Sequence, residues 1–562
     1  MYDDFKKTIA NQLSELSGVS AEIIVPAIDL PKVTTYGDLA IAVPRLRLKG
    51  NPVQLAQSFA EKFKPDEAVT SVVATGPYLN FRVNRTTFTR NVLNAVHREG
   101  GKYGWTNEGA GKRVIVEFSS PNIAKPFHAG HLRSTIIGNF IYNLYKANGW
   151  DAISMNYLGD WGKQYGLLAI GFNRFGSEEK LVANPITHLY EVYVAINAEA
   201  AKDPSIHDEA RAYFKKMEDG DKSALALWQH FRDLSIVKYK ETYSRLNIKF
   251  DVYSGESQVG EGMERAMKML EDAGLIVEDK GAKIIDLTQY KLEKAVVQKS
   301  DGTTLYLTRD IGAALERYEK YQFDKIIYVV SSQQDLHLKQ LFKTLELLKL
   351  PYADRFQHIN YGMVKGMSTR KGTVVFLDDM LMESKSNMHN VMRENDEKYK
   401  QVEDPEHISD VLGISAMVVQ DMSARRIKDY DFDWTRILSF EGDTGPYLQY
   451  AHARLCSLER KSNPVNLDAD VSILTEETAR EIVTLISRYP DVLSSAMQTL
   501  EPCTVVQYIL KLSHAISAAW ETIMVRDQPQ DIADARLLMY SSARIVLGNA
   551  LAMLGLEPVQ RM

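Results

Sequence analysis

Apolar residues recur at helical spacing from the start of the chain, at Phe5, Ile9, Leu13 and Leu16, and predict an N-terminal helix. In YLNFRVN the period shortens to two. Leu79, Phe81 and Val83 alternate with Asn80 and Arg82, as a half-buried strand requires. Residues 1 to about 110 therefore read as an α+β module, closed by the glycine-rich polar stretch GGKYGWTNEGAGK at 100–112. Beyond it the pattern becomes strand, polar loop, helix. RVIVEF leads into SSPNIAKPFHAGH and then RSTIIGNFIYNLYKANG. There Ile136, Ile137, Phe140, Ile141 and Leu144 keep to one stripe, and Gly149 stands at a C-cap position. KIIYVV at 325–330, followed by SSQQDLH and LKQLFKTLELLKL, repeats the unit. Apolar runs that feed helices predict buried parallel strands, hence a doubly wound α/β sheet with ligands at the carboxyl ends of its strands. Both polar loops fall at such ends.

Between these units, at about 175–250, a segment rich in Lys, Glu and Asp reads as a solvated helical insertion. From about 405 strand signals disappear, and ILKLSHAISAAWETIMV and ADARLLMYSSARIVLGNALAMLG predict an all-α C-terminal domain. The expected division is 1–110, 111–404 with the insertion, and 405–562.

Composition narrows the class. A chain of 562 residues is too long for one core, so about two to four domains are expected. The only cysteines, Cys456 and Cys503, exclude a disulfide framework or a Cys-rich structural zinc site. No run of about 18 apolar residues occurs, and MYDDFKKTIANQL has neither a secretory apolar segment nor an Arg-rich transit bias. A cytoplasmic protein with no membrane segment is expected. The net charge of -6 argues weakly against nucleic acid as a partner, although 67 basic residues can still form a local basic face.

The chemistry concentrates in SSPNIAKPFHAGHLRST, residues 119–135. His128 and His131 would share one side of a first helical turn, where unpaired N–H groups and the dipole favour a phosphate. Gly130 would let the backbone approach a large ligand. With 12 His and 33 Gly, composition gives His-x-Gly-His only about 0.015 chance occurrences. A zinc reading lacks a third ligand nearby. A second cluster, YGMVKGMSTRKGTVVFLDD at 361–379, sets Lys365, Arg370 and Lys371 among glycines, with Ser368 and Thr369 as hydroxyl donors. Such a loop suits a departing polyphosphate, because catalysis at phosphorus is mostly positioning and charge neutralisation. Alone it would read as a solvated hairpin turn.

Together the two clusters resemble the HIGH and KMSKS signatures of class I aminoacyl-tRNA synthetases, at His128-Ala129-Gly130-His131 and Met367-Ser368-Thr369. NYLGDWGKQYG, LYLTRDIGAA and SSQQDLH look like the arginyl-tRNA synthetases, most similar to the eukaryotic cytosolic kind. GPYLQYAHAR at 445–454 and DARLL at 534–538 extend the likeness to nearly the whole chain. The second motif departs from its signature: Gly366 and Thr369 stand where lysines are usual. Lys125, Arg370 and Lys371 are the candidates to supply the missing charge.

The resemblance implies a Rossmann-type catalytic domain, ATP as substrate with Mg2+, no structural metal, and arginine and its tRNA as partners of a monomer. It places His128, His131, Lys125, Met367, Ser368, Thr369 and Arg370 in catalysis. ATP would be bound by His128, Gly130, His131, His337, Met363, Met367 and Ser368. Arginine would be bound by Glu117, Ser120, Asn122, His128, Tyr306, Asp310 and Gln334. A guanidinium needs carboxylates and neutral acceptors in a fixed fork, which Asp310 and Tyr306 suit. On spacing alone, Asp310 reads instead as a helix N-terminal acid paired with Arg309 or Arg317. The tRNA would touch Asn80 and Phe81 in the N-terminal module, and Tyr447, Arg454, Trp520 and Met562 in a domain resembling the DALR anticodon-binding domain. The alternatives are a class I enzyme of another specificity, or a synthetase-like regulator that binds tRNA or arginine without turnover.

Overall fold

The computed structural model describes residues 2–31, 36–123, 125, 127–128, 130–300, 302, 304–365, 376–431 and 439–562. Contacts divide the chain into two compact units: Met1–Tyr103, Leu455–Asp491 and Lys511–Leu547 in one, Gly104–Arg454, Val492–Leu510 and Gly548–Met562 in the other.

In the first unit the expected helix is Asp3–Ser17, which buries Phe5, Ile9 and Leu13 and ends at Gly18 in the left-handed region. Tyr78–Val83 lies between Leu39–Ala42 and Val69–Thr75 in a four-stranded antiparallel sheet. Alternation turns Leu79, Phe81 and Val83 inward as expected. Asn80 is buried too, and its amide donates to Val73 O at 3.4 Å and Thr75 Oγ1 at 3.3 Å. The stretch at 100–112 is less of a free linker than its glycines suggest. Tyr103 is buried, stacks on Tyr489 and donates its hydroxyl to Ile486 O at 3.2 Å. The C-terminal segments of this unit belong to the expected long helices, Glu477–Thr499, Cys503–Ala519 and Gln530–Met553.

The second unit is built on five parallel strands: β1 (Arg113–Glu117), β2 (Asp151–Leu158), β3 (Val252–Gly255), β4 (Lys325–Val329) and β5 (Phe356–Ile359). Their order across the sheet is β5-β4-β1-β2-β3. The helices that serve the site are α1 (Gly130–Ala147), α2 (Tyr306–Tyr321) and α3 (Asp335–Leu347). Ile136, Ile137, Phe140, Ile141 and Leu144 of α1 are at most 3% exposed, the predicted stripe. A Cβ at Gly138 would stand 2.2 Å from Phe118 Cβ, so this glycine lets α1 close onto the end of β1. After β1 the chain returns on one side of the sheet and after β4 on the other. The crevice at their carboxyl ends is the topological switch point.

Three features depart from expectation. The insertion is not merely a solvated appendage. Its last helix, Lys222–Arg245, drives Tyr239 and Tyr243 into the catalytic core with no exposure, and both press edge-on against Phe127. An antiparallel sheet of Ile276–Asp279, Ala282–Asp286 and Lys294–Gln298 precedes α2; its short, charge-rich strands left no clear alternation. Finally, Tyr430–Asp431 is a strand inside the segment expected to be all helix, paired in parallel with Val364–Lys365.

Candidate active site

β1 ends in a strained turn. Ser119 and Ser120 have φ of 68° and 42°, a region non-glycine residues enter at a cost of roughly 1 kcal/mol each. Hydrogen bonds over-determine it. Ser134 Oγ accepts from Ser119 N at 3.0 Å, and Ser119 Oγ bonds the Tyr243 hydroxyl at 2.6 Å and accepts from Thr135 Oγ1 at 2.8 Å. Ser120 Oγ accepts from Tyr157 N at 3.2 Å, so that serine ties β1 to β2. The turn delivers Asn122 to a bridge with Gly159, with Lys125 exposed just beyond.

The described part of α1 starts at Gly130, so His128 precedes the helix rather than sharing its first turn. The rings still meet, with centroids 4.3 Å apart. His128 Nδ1 accepts from Gly130 N at 3.0 Å, and His131 Nδ1 accepts from His128 N at 3.2 Å. Burial pushes the His131 imidazole down to about 3, helped by His128, and lowers His128 as well. A neutral ring that accepts at Nδ1 carries its proton on Nε2. Both histidines therefore offer an N–H donor, not a charge. Gly130 serves the first ring, because a Cβ there would lie 2.7 Å from His128 Cε1.

Asp310 acts electrostatically on both Glu117 and Glu256 at the crevice, and Asp160 also acts on Glu256. Glu117 meets Arg317 Nη1 at 2.5 Å, and that guanidinium lies over the Tyr157 ring at 4.7 Å. Glu256 meets Arg309 Nη1 at 2.8 Å. Burial pushes the Glu117 carboxyl up against the pull of Arg317, and pushes Glu256 up to about 7 against Arg309. Asp310 Oδ2 meets His337 Nε2 at 2.5 Å, and among the described residues neither neighbouring arginine pairs with it. Arg309 instead sits 5.6 Å from the ring of Tyr306, which opens α2 with 65% exposure. Gln334 is exposed in the turn Ser332–Gln334 that enters α3.

Arg133, one turn into α1, was not singled out by its position in the sequence. It is 1% exposed and pairs with the equally buried Asp421 at 3.1 Å. It also donates to Gly362 O at 2.7 Å and Lys428 O at 2.9 Å, and its Cζ lies 5.2 Å from the Tyr430 ring. Tyr430 in turn donates to Asp421 at 2.8 Å. This network fixes Val364–Lys365, the stem that leads into 366–375. Gly366, Met367, Ser368, Thr369, Arg370 and Lys371 lie outside the described residues. Met363 is described: it is 48% exposed, and its N–H donates to Asp429 at 2.7 Å.

The tRNA candidates divide. Phe81 is fully buried and cannot stack on a base. The period-two strand that exposes Arg82 turns it inward, which corrects that expectation. The aromatic on the opposite face is Tyr78, 50% exposed, which borders a cavity of about 570 Å3 with Tyr36, Arg45, Thr75 and Asn80. Tyr447 and Arg454 are half-buried on Gly445–Arg460, and Trp520 packs on Tyr540 with centroids 5.6 Å apart. Met562 lines an apolar pocket of about 280 Å3 with Tyr399, Phe440 and Tyr450.

Comparison with known families and proteins adds to this geometry. "tRNA synthetases class I (R), catalytic domain" matches residues 92–434, "DALR anticodon binding domain" 448–562 and "Arginyl tRNA synthetase N terminal domain" 3–83. The chain is 51% identical to "Probable arginine--tRNA ligase, cytoplasmic" of Dictyostelium discoideum, over 99% of this chain and 100% of the relative. It is 52% identical to "Arginine--tRNA ligase, cytoplasmic" of Saccharomyces cerevisiae, over 100% of this chain and 95% of the relative. The Thermus thermophilus arginyl-tRNA synthetase structure superposes with a TM-score of 0.79 at 22% identity, covering 100% of each chain, and shares the fold.

Proposed function

A chain matched from end to end by the arginyl-tRNA synthetase family belongs to it, and on that footing we propose the residues through which it joins L-arginine to tRNA with ATP. Arginine's α-carboxylate attacks the α-phosphorus of ATP, pyrophosphate leaves, and a terminal tRNA ribose hydroxyl then takes the arginyl group from the adenylate. His128 and His131 hold phosphate oxygens through Nε2–H, where preorganised donors act without needing charge of their own. Lys125, Arg370 or Lys371 supplies the cation that the second signature lacks, and Met367, Ser368 and Thr369 belong to the same loop. Asp310, with Tyr306 and Gln334, takes the guanidinium, while Asn122, Ser120 and Glu117 border the head group. Mg2+ fits here as a partner of ATP. Glu117, Glu256 and Asp310 are all engaged, so phosphate oxygens and water would hold it, and it would neutralise phosphate charge. We read the active unit as a monomer. We place the protein in the cytoplasm, as the names of both relatives state for them.

One observation carries the choice of arginine. Of Glu117, Glu256 and Asp310, the first two are paired with guanidinium groups of this chain, and Asp310 is paired instead with a histidine. Aminoacylation of total tRNA with each amino acid in turn should proceed with arginine alone. Lysine, which cannot fill a fork of acceptors, should be rejected by a factor on the order of a thousand. Turnover with another amino acid, or arginine binding without turnover, would remove this reading.

On the tRNA side we assign the stacking contact of the N-terminal module to Tyr78. Tyr78→Ala is expected to raise the KM for tRNA by about tenfold, the worth of one base stack, without lowering the melting temperature. Phe81→Ala should instead destabilise the fold by about 3–5 kcal/mol, because it empties a buried site. Parallel melting curves and aminoacylation kinetics separate the two; a normal KM in Tyr78→Ala would take that tyrosine out of the interface.

A further inference from the structure

We propose that Arg133 is a positioning residue for ATP, holding the strand that leads into the second signature at a fixed distance from the histidines of the first. The inference rests on the assignment of ATP to these two signatures and names the side chain that sets their separation. With 1% exposure, Arg133 acts without touching a substrate.

One nitrogen makes the link. Arg133 Nη1 carries two N–H bonds and donates to two carbonyls, Gly362 O at 2.7 Å and Lys428 O at 2.9 Å. Each carbonyl stands two residues before one of the paired strands, Val364–Lys365 and Tyr430–Asp431. The two segments are tied to each other as well. Gly362 N donates to Arg426 O at 2.9 Å and Tyr430 N to Met363 O at 3.2 Å. A Cβ at Gly362 would lie 2.6 Å from Ile427 O, so this close approach requires the glycine. The strands therefore move as one body, and Arg133 holds that body at both entrances. Its charge has a separate task, which is to match the buried Asp421 at 3.1 Å.

The other end of the link is fixed to the sheet. Ser134, the next residue of α1, donates its hydroxyl to Val329 O at 2.7 Å, at the end of β4, and accepts from Ser119 N at 3.0 Å, just past β1. The first turn of α1 cannot shift without breaking both. His131, two residues before Arg133, offers its Nε2–H from this turn, while Met363 and Lys365 are exposed on the strand that Arg133 holds. An ATP molecule gripped by both signatures needs the two walls at one separation, because in-line displacement at phosphorus depends on placement more than on covalent help. Arg133 supplies that separation from behind the walls.

The test separates the link from the charge. Arg133→Met with Asp421→Leu removes both charges and keeps the site filled, so no carboxylate is stranded while the two carbonyls lose their donor. Aminoacylation by the full chain is measured with ATP and arginine varied in turn, beside a melting curve. The double variant should melt close to the unaltered chain and keep its KM for arginine within about twofold, yet lose about a hundredfold in kcat/KM for ATP, the cost of a misplacement of roughly 1 Å. Arg133→Lys keeps a cation for Asp421 but not the planar fork that serves a carboxylate and two carbonyls together. It should show the same split at smaller size, and it decides the matter if the double variant does not fold. Unchanged ATP kinetics in these variants overturns the proposal. So does a KM for arginine that rises as far as the KM for ATP, the mark of a general loss of structure. Lys125→Ala, Arg370→Ala and Lys371→Ala test the underlying reading separately: if none of the three alters ATP kinetics, the assignment of ATP to the two signatures falls instead.

Discussion

Asp310→Ala should lose about three orders of magnitude in kcat/KM for arginine while its melting temperature stays within a few degrees of the unaltered chain. The size follows from removing one partner of a desolvated, charge-assisted pair, worth about 3–5 kcal/mol, at about 1.4 kcal/mol per tenfold. The stability half follows from exposure. Asp310 is 28% exposed, and its partner His337 can turn to water, so nothing charged is stranded inside the protein. Asp310→Asn keeps the shape and one acceptor but not the charge, and should fall between the two. ATP and tRNA parameters should move little, because we assign the lost contact to the amino acid. An arginine KM close to the original in Asp310→Ala would take this carboxylate out of the pocket.

Arg133→Met should act in the opposite way, on stability first. Arg133 and Asp421 are 1% and 2% exposed, and removing the cation leaves a buried carboxylate without its counter-charge, a loss of about 3–5 kcal/mol. Burial already raises the Asp421 carboxyl, with Arg133 the main opposing influence. A carboxyl raised in the folded state binds more protons there than in the unfolded chain, so stability falls as pH rises from the unfolded value to the folded one. Removing Arg133 lifts the folded value further. The deficit should accordingly be smallest in acid and full at neutral pH, seen as a larger difference in melting temperature at about pH 8 than at about pH 5.5. Arg133→Met with Asp421→Leu, which removes both charges, should recover most of the loss. A pH-independent deficit would show that packing, not the stranded charge, sets the cost.

Much of this was legible in the order of residues. The stripe from Ile136 to Leu144, the two strand-loop-helix units and the loops at their carboxyl ends are local patterns, and burial obeys them. What stayed hidden depends on partners far along the chain. Arg133 in a polar phrase reads as an exposed cation until Asp421 and the carbonyls of Gly362 and Lys428 surround it. Asp310 does not pair with Arg309 or Arg317, as spacing alone suggests, for a geometric reason. A helical neighbour at i−1 faces elsewhere and one at i+7 is two turns away, and Glu256 and Glu117 claim those arginines. Phe81 shows the converse: its alternation gave its inward direction plainly, and only that direction bears on whether it can meet a base. The insertion misled because many charged residues surround the two tyrosines that matter, Tyr239 and Tyr243, one helical turn apart.

That pair changes how the protein can be divided. Tyr243 reaches from Lys222–Arg245 to bond Ser119 at the strained turn and to accept from Asn156 Nδ2 at 2.9 Å. A segment that looks like a detachable ornament thus supplies a keystone for the crevice. A shortened enzyme made by bridging the sheet across the gap would keep every signature motif and still lack the hydroxyl that holds the first one in place.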